Sequence, residues 1–146
     1  PAGSFTYTLV DPEIAAALLT RAPEAVIDTF GNSTAQTHAQ LDTYLAKADA
    51  VVLGPGSGNT PRTKQLLERV FPRAKRLLLD ADAVNVLAED PAFFHGQMTA
   101  RRHLSLEPPV LTPHPGEFQR LFPNLDVTQR LHAAHSAAEQ SGCHII

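Results

Sequence analysis

Along the chain, short apolar runs alternate with longer stretches whose apolar residues recur at helical spacing. Phe5 to Val10 alternates apolar and polar β-formers, and Asp11-Pro12 then supplies an N-cap and first helical residue for Glu13 to Thr20. Pro23 ends that helix, Ala25 to Ile27 reads as a second short strand, and Gly31-Asn32-Ser33 as a turn. From Thr34 to Lys47, the positions Ala35, Ala39, Leu41, Leu45 and Ala48 fit a helix leading into Ala50 to Leu53. That run is apolar with a β-branched centre, as expected of a strand covered on both faces. Thr60 can cap the following helix, Pro61 suits its first position, and Leu66, Leu67, Val70 and Phe71 form its apolar face.

The alternation continues downstream. Arg76 to Leu79 predicts a buried strand, Asp80-Ala81-Asp82 closes it, and Ala83 to Ala88 returns to a helical pattern. Val110-Leu111-Thr112 is another such strand, followed by Pro113-His114-Pro115-Gly116-Glu117 and an apolar stripe of Phe118, Leu121 and Phe122. Asp126 to Ser141 predicts a helix closed by Gly142, and Cys143 to Ile146 starts a further strand. Glu89 to Pro109 is the least regular stretch, and its prolines and charges read as a surface excursion. Strands alternating with helices at this spacing imply right-handed βαβ units, an α/β fold and a parallel sheet. Ligands bind such sheets beyond the carboxyl ends of the strands, which directs attention to four loops: Asp11-Pro12, Gly54 to Thr60, Asp80 to Asn85, and Thr112 to Glu117.

Composition narrows the function. The 146 residues are 43% hydrophobic, enough for one domain with a core, and the net charge is −3. There is no basic stripe, Arg101-Arg102 being too little for a nucleic-acid surface, so no nucleic-acid partner is expected. The single cysteine, Cys143, reads as a small core residue and suits a reducing compartment. With no secretory segment or long apolar run, the expectation is a cytoplasmic protein without a membrane partner. The start at Pro1 and the end on His144-Ile145-Ile146 suggest a piece of a longer protein.

Three loops carry candidate chemistry. Gly54-Pro55-Gly56-Ser57-Gly58 can be a tight turn that needs glycine for shape alone. It can equally be an anion-binding turn, because a glycine loop entering a helix N-terminus presents free N–H groups and a positive dipole end. A Walker A loop is excluded because no Gly-Lys-Ser/Thr follows. A dinucleotide fingerprint with Asp80 as the ribose-binding acid is second best, since Asn59 replaces the third small residue and Pro55 is unusual inside such a turn. In Asp80 to Asn85, Asp82 reads either as an N-cap or as a ligand group, with Asn85 on the first turn facing the same edge. His114, bracketed by two prolines, is held on a rigid turn, and Glu117 can complement the helix dipole. The other histidines look incidental; His132 and His135 are three apart on a helix, without a third ligand nearby.

Taken in order, VVLGPGSG, LLLDADAVNVLA and VLTPHPGEFQRLF resemble the ADP/ATP-dependent NAD(P)H-hydrate dehydratases, a branch of the ribokinase-like kinases. The family pattern is a GPGLG-type loop, a DADALN-type segment and TPHPGE, from which Ser57 and Val84 depart. Gly3 to Val10, Ala22-Pro23-Glu24 and Arg130 to Ile146 are similar to further family elements. The resemblance implies a three-layer ribokinase-like fold with a mainly parallel sheet flanked by helices, incomplete at both ends. It implies repair of hydrated NADH or NADPH: the ring hydroxyl is phosphorylated by ADP or ATP, phosphate leaves, and Mg2+ neutralises the transferred group. By motif matching, Gly54, Gly56, Gly58 and His114 would line the hydrate pocket, Asp82 and Asn85 would sit beside them, and Glu117 would take part indirectly in metal or water positioning. The partners implied are the hydrate and a nucleotide, within a homo-oligomer.

The family also carries an early Gly-rich segment, a Lys-Gly strand and a Gly-x-Gly-Asp loop whose aspartate activates the hydroxyl; none is in this sequence. No catalytic residue is therefore assigned, and the chain alone is expected to be inactive. Three alternatives stand beside this reading: another ribokinase-like small-molecule kinase, an inactive nucleotide-binding or assembly module, and an NAD-dependent dehydrogenase on a Rossmann unit.

Overall fold

The computed structural model describes residues 6–23, 26–31 and 33–146. The expected strand start at Phe5, the Gly3-to-Ser4 part of one family element, and Glu24, Ala25 and Asn32 lie outside the described residues. Two compact units divide at Tyr44 and Leu45.

In the N-terminal unit, β1 (Tyr7–Val10) and β2 (Val26–Thr29) pair in parallel, with Leu9 opposite Asp28, and α1 (Pro12–Arg21) connects them. Asp11 takes the N-cap position and Pro12 the first helical position, as their order predicts. α2 (Thr34–Leu45) is tied to β2 by polar groups: Gln40 Nε2 donates to Asp28 Oδ2 (2.8 Å) and to the Thr29 carbonyl (2.9 Å), and the Tyr44 hydroxyl donates to Asp28 Oδ2. These donors, Tyr44 foremost, hold the Asp28 carboxyl below its ordinary value. The alanines expected on the inner face of α2, Ala35 and Ala39, are exposed. Thr37 is buried instead, because its hydroxyl reaches the Gly31 carbonyl (3.3 Å).

The C-terminal unit is built on a four-stranded parallel sheet in the order β3 (Val51–Leu53), β4 (Leu77–Leu79), β5 (Val110–Leu111), β6 (His144–Ile145). Leu53, Leu79, Leu111 and Ile145 lie in register across it. Helices α3 (Pro61–Val70), α4 (Asp82–Glu89), α5 (Pro91–His103), α6 (Pro115–Leu121) and α7 (Arg130–Ser141) flank this sheet. Leu66, Leu67, Val70 and Phe71 are buried as their spacing predicts, with Leu79, Val84, Leu87 and Leu111. A second cluster joins Phe118 and Phe122 of the α6 end to Ala133 and Ala137 of α7, the two rings lying 5.2 Å apart. Gly142 closes α7 in the left-handed conformation, and Cys143 is buried behind it.

Four local expectations are corrected. β3 is an edge strand of its sheet and Val52 is 64% exposed, so the strand is not covered on both faces. The stretch read as a surface excursion contains α5, a 13-residue helix capped by Asp90, whose carboxylate accepts the Phe93 N–H (2.9 Å), with Pro91 in its first turn. Its inner face is Phe94, Met98 and Arg101, and the charge at the third position conceals the period. Arg101 is 1% exposed and bonds only carbonyls: Nη1 to Phe71 (2.7 Å) and Ala74 (2.9 Å), Nη2 to Lys75 (3.1 Å), Nε to Glu107 (2.6 Å). α7 begins at Arg130 rather than Asp126, because the Asp126 carboxylate accepts from the Thr128 N–H (3.0 Å) and hydroxyl (2.6 Å) and stabilises a turn in place of a helix. Asp82 is not the N-cap of α4: Ala81 holds that position, at φ 47° and ψ −120°, and Asp82 is the first helical residue.

Candidate functional site

The loops after β3, β4 and β5 lie beyond the carboxyl ends of three adjacent parallel strands, where a parallel sheet offers a ligand site. The first begins at Gly54, with φ +131° and so little room that a Cβ would stand 1.8 Å from the Asp80 carbonyl. Only glycine lets the β3 and β4 ends approach this closely. Beyond it the loop folds on itself, the Gly54 carbonyl accepting from Ser57 N–H (3.0 Å) and hydroxyl (2.8 Å). The buried Thr63 hydroxyl of α3 shares its one proton between the Ser57 (2.9 Å) and Gly58 (2.6 Å) carbonyls. Thr60 caps α3 by accepting the Thr63 N–H (3.3 Å). Gly56, at the tip, faces open space.

The second loop is joined to the first through Asp82, whose Oδ2 accepts the Gly58 N–H at 2.8 Å. Asp80 serves its own turn, Oδ1 accepting the Ala81 N–H (2.8 Å). Asn85 is three residues beyond Asp82, on the same helical face. Its Oδ1 accepts from both Arg120 Nε (3.0 Å) and Nη2 (2.8 Å), which links α4 to α6.

The third loop is the rigid turn expected from its prolines, and His114 caps α6. Its Nδ1 accepts the Gly116 N–H (3.0 Å), and Glu117 Oε2 accepts the His114 N–H (2.9 Å), a reciprocal capping box. The bond into Nδ1 places the neutral ring's proton on Nε2, which lies 3.2 Å from Glu117 Oε1. The carboxylate is buried and the imidazole 63% exposed, so Glu117 anchors a ring that faces solvent. A Cβ on Gly116 would come within 2.9 Å of His114 Cε1 and push the ring aside.

An open cleft of about 400 Å3 adjoins these loops, lined by Asn59, Asn85, Ala88, Glu89 and Arg120. The Asn59 amide donates to Glu89 Oε1 across it. Of the residues expected at the site, Asn85 lines this cleft, Gly58 and Asp82 are joined by a hydrogen bond, and Gly54 packs against the Asp80 carbonyl; His114 and Glu117 bond within their own turn at the start of α6. Asp11-Pro12 belongs to the N-terminal unit. Sequence reasoning missed Arg120 and Thr63. Arg120 reads as a solvated residue beside an apolar stripe; the signal for Thr63 is a small hydroxyl one turn into a helix that follows a glycine loop. Among the described residues no group of three or more His, Cys, Asp or Glu side chains could hold a metal ion, and no helix is long and apolar enough to cross a membrane.

Known proteins are similar to this chain in sequence and in fold. A ribokinase-like superfamily protein from Enterococcus faecalis V583 superposes with a TM-score of 0.72 at 25% identity, over 97% of this chain and 46% of that one. The bifunctional NAD(P)H-hydrate repair enzyme Nnr of Gloeobacter violaceus is 36% identical over 141 residues, 96% of this chain and 26% of the relative. That of Escherichia coli K12 is 35% identical over 92% of this chain and 23% of its own length, and the repair enzyme of Leishmania major 38% identical over 80% and 22%. The chain thus spans about a quarter of the curated relatives it matches. The mainly parallel sheets flanked by helices agree with the ribokinase-like neighbour. With the loop motifs in order on adjacent strand ends and a family match running from residue 3 to residue 146, the chain belongs to the NAD(P)H-hydrate dehydratase family.

Proposed function

We propose that this chain supplies part of the hydrate-binding wall in a nucleotide-dependent dehydration of hydrated NADH or NADPH. The observation that carries the reading is the linkage of the glycine loop to α4 through Gly58–Asp82 and of α4 to α6 through Asn85–Arg120, with the exposed His114 ring at the start of α6. In this reading Gly56, at the open tip, gives the ligand close access to main chain, Gly54 and Gly58 set the shape of the loop, Asp82 holds that loop through the Gly58 N–H, Asn85 lines the cleft, and His114 presents its ring to the hydrate. ADP or ATP phosphorylates the ring hydroxyl, and loss of phosphate together with a proton from the neighbouring ring carbon restores the double bond of the dihydronicotinamide. No residue of this chain is assigned the role of base.

Among the described residues no group of three or more His, Cys, Asp or Glu side chains could hold a magnesium ion, and both Glu117 oxygens face His114. Glu117 would act indirectly, through water or through His114. A cytoplasmic setting and a homo-oligomeric state belong to the same proposal; the lone buried thiol supports the former.

The test is an assay of the protein that contains this chain with hydrated NADH, with ADP, ATP or no nucleotide. The reading expects recovery of intact NADH only with nucleotide, and inhibition by hydrated more strongly than by intact NADH in competition. Phosphorylation of an unrelated alcohol, or hydride transfer, with no recovery of NADH would overturn it.

A further inference from the structure

We infer that Arg120 is a positioning residue that fixes the Asn85 amide as a hydrogen-bond donor to the ligand, so that this point of the site selects an uncharged oxygen acceptor. The inference deepens the proposed function and rests on it for the identity of the ligand.

Arg120 Nε and Nη2 both reach Asn85 Oδ1, at 3.0 and 2.8 Å. An arginine side chain has donors and no acceptor, so the amide atom facing it must be the oxygen. An amide orientation that is ordinarily ambiguous is thereby decided. Turning the amide over would set N–H against N–H. Arg120 is itself seated over the first turn of α6, where a Cβ on Gly116 would meet Nη1 at 3.7 Å, an ordinary contact distance. With Oδ1 engaged, the group Asn85 has left for a ligand is Nδ2 with its two protons.

The surroundings choose the acceptor. Asn85 lines the open cleft with the Glu89 carboxylate and the Arg120 guanidinium, one charge of each sign. Such a balanced cleft gives an anion no net attraction, whereas a neutral carbonyl oxygen takes the amide proton without burying charge. The hydrated nicotinamide ring carries one such group, its carboxamide oxygen.

The test measures KM and kcat for hydrated NADH, the affinity for intact NADH, and the thermal midpoint, in the full-length protein and its variants. Asn85→Asp keeps an acceptor for Arg120 but replaces the presented donor with an oxygen. The expectation is a KM raised at least about tenfold, kcat nearly unchanged, and a midpoint at or above that of the parent. Arg120→Met frees the amide and raises KM, whereas Arg120→Lys, which still donates to Oδ1, restores most of the affinity. A purely structural contact would move the midpoint in Arg120→Met and leave KM unchanged in Asn85→Asp; that result overturns the inference while leaving the proposed function intact. If the parent binds intact NADH but does not restore the hydrate, the proposed function fails and the tenfold loss is read in NADH affinity instead. A parent that neither binds nor repairs a nicotinamide dinucleotide overturns both.

Discussion

Asp82 and Gly58 stand 24 residues apart in sequence and are joined by a hydrogen bond of 2.8 Å from the Gly58 N–H to Asp82 Oδ2. A carboxylate at the first position of α4 thus holds the glycine loop that precedes α3. A hydrogen bond to a charged acceptor contributes roughly 1.5–3 kcal/mol. Asp82→Ala is expected to cost about 2 kcal/mol in denaturant unfolding and to accelerate hydrogen exchange at the Gly58 amide. Asp82→Asn, which keeps an acceptor, should lose less. Unchanged exchange at Gly58 in Asp82→Ala would show that the loop is held by Thr63 alone.

Gly54 and Gly56 separate shape from access. A methyl group at Gly54 would collide with the Asp80 carbonyl, and main chain would have to move. Gly54→Ala should therefore cost more than about 3 kcal/mol. Gly56 has open space around it and only a positive φ of 70° to oppose a side chain, so Gly56→Ala should cost about 1 kcal/mol. Thermal unfolding of the two variants checks the order, and similar losses would contradict the geometry.

Ala81 holds a positive φ of 47° with ψ −120°, where an L side chain is strained. Such a residue costs on the order of 1–3 kcal/mol, and glycine would relieve it at an entropic cost of roughly 0.5–1 kcal/mol. Ala81→Gly is expected to stabilise the protein by about 1 kcal/mol in equilibrium unfolding. A loss of stability would mean that the methyl group packs more favourably than its backbone suggests.

Burial pushes the Cys143 thiol up to about 11 from its ordinary value of 9.0. Between those values the unfolded chain has released a proton that the folded chain keeps, so stability falls as pH rises through this window. The slope from this group is about 1.4 kcal/mol per pH unit, and below pH 9 it contributes no dependence. The decline should be weaker in Cys143→Ala, measured against the parent by denaturant unfolding on both sides of the window. Parallel pH profiles for the two proteins would rule out the buried thiol as its source.

Much of this was legible in the sequence because the punctuation is local. Thr60-Pro61, Pro113 to Glu117 and Gly142 mark element ends by the conformations they permit, and the structure places helix boundaries there. What stayed hidden depends on partners distant in the chain. α5 was obscured because one of its core positions is an arginine, and nothing near Arg101 in sequence shows that carbonyls of residues 71, 74 and 75 will surround it. Arg120 and Asn85 are 35 residues apart, and neither has a neighbour that announces the other. The exposed Val52 belongs to a run as apolar as Leu77 to Leu79, whose Leu77 and Leu79 are buried, because edge or centre is a property of strand order.

Arg101 has a consequence for tolerance to mutation. Its four hydrogen bonds end on main-chain oxygens, which every amino acid carries. Lys75 and Glu107, whose side chains are solvent-facing, can therefore be exchanged for almost any residue without removing the cation's hydrogen bonds, since the oxygens that solvate it persist through substitution. The arginine has no such latitude. A lysine gathers its three donors at one point and cannot span acceptors contributed by two separate segments. A saturation scan would show Arg101 intolerant while Lys75 and Glu107, two of the residues whose carbonyls it bonds, are permissive, a pattern that side-chain contact maps alone do not explain.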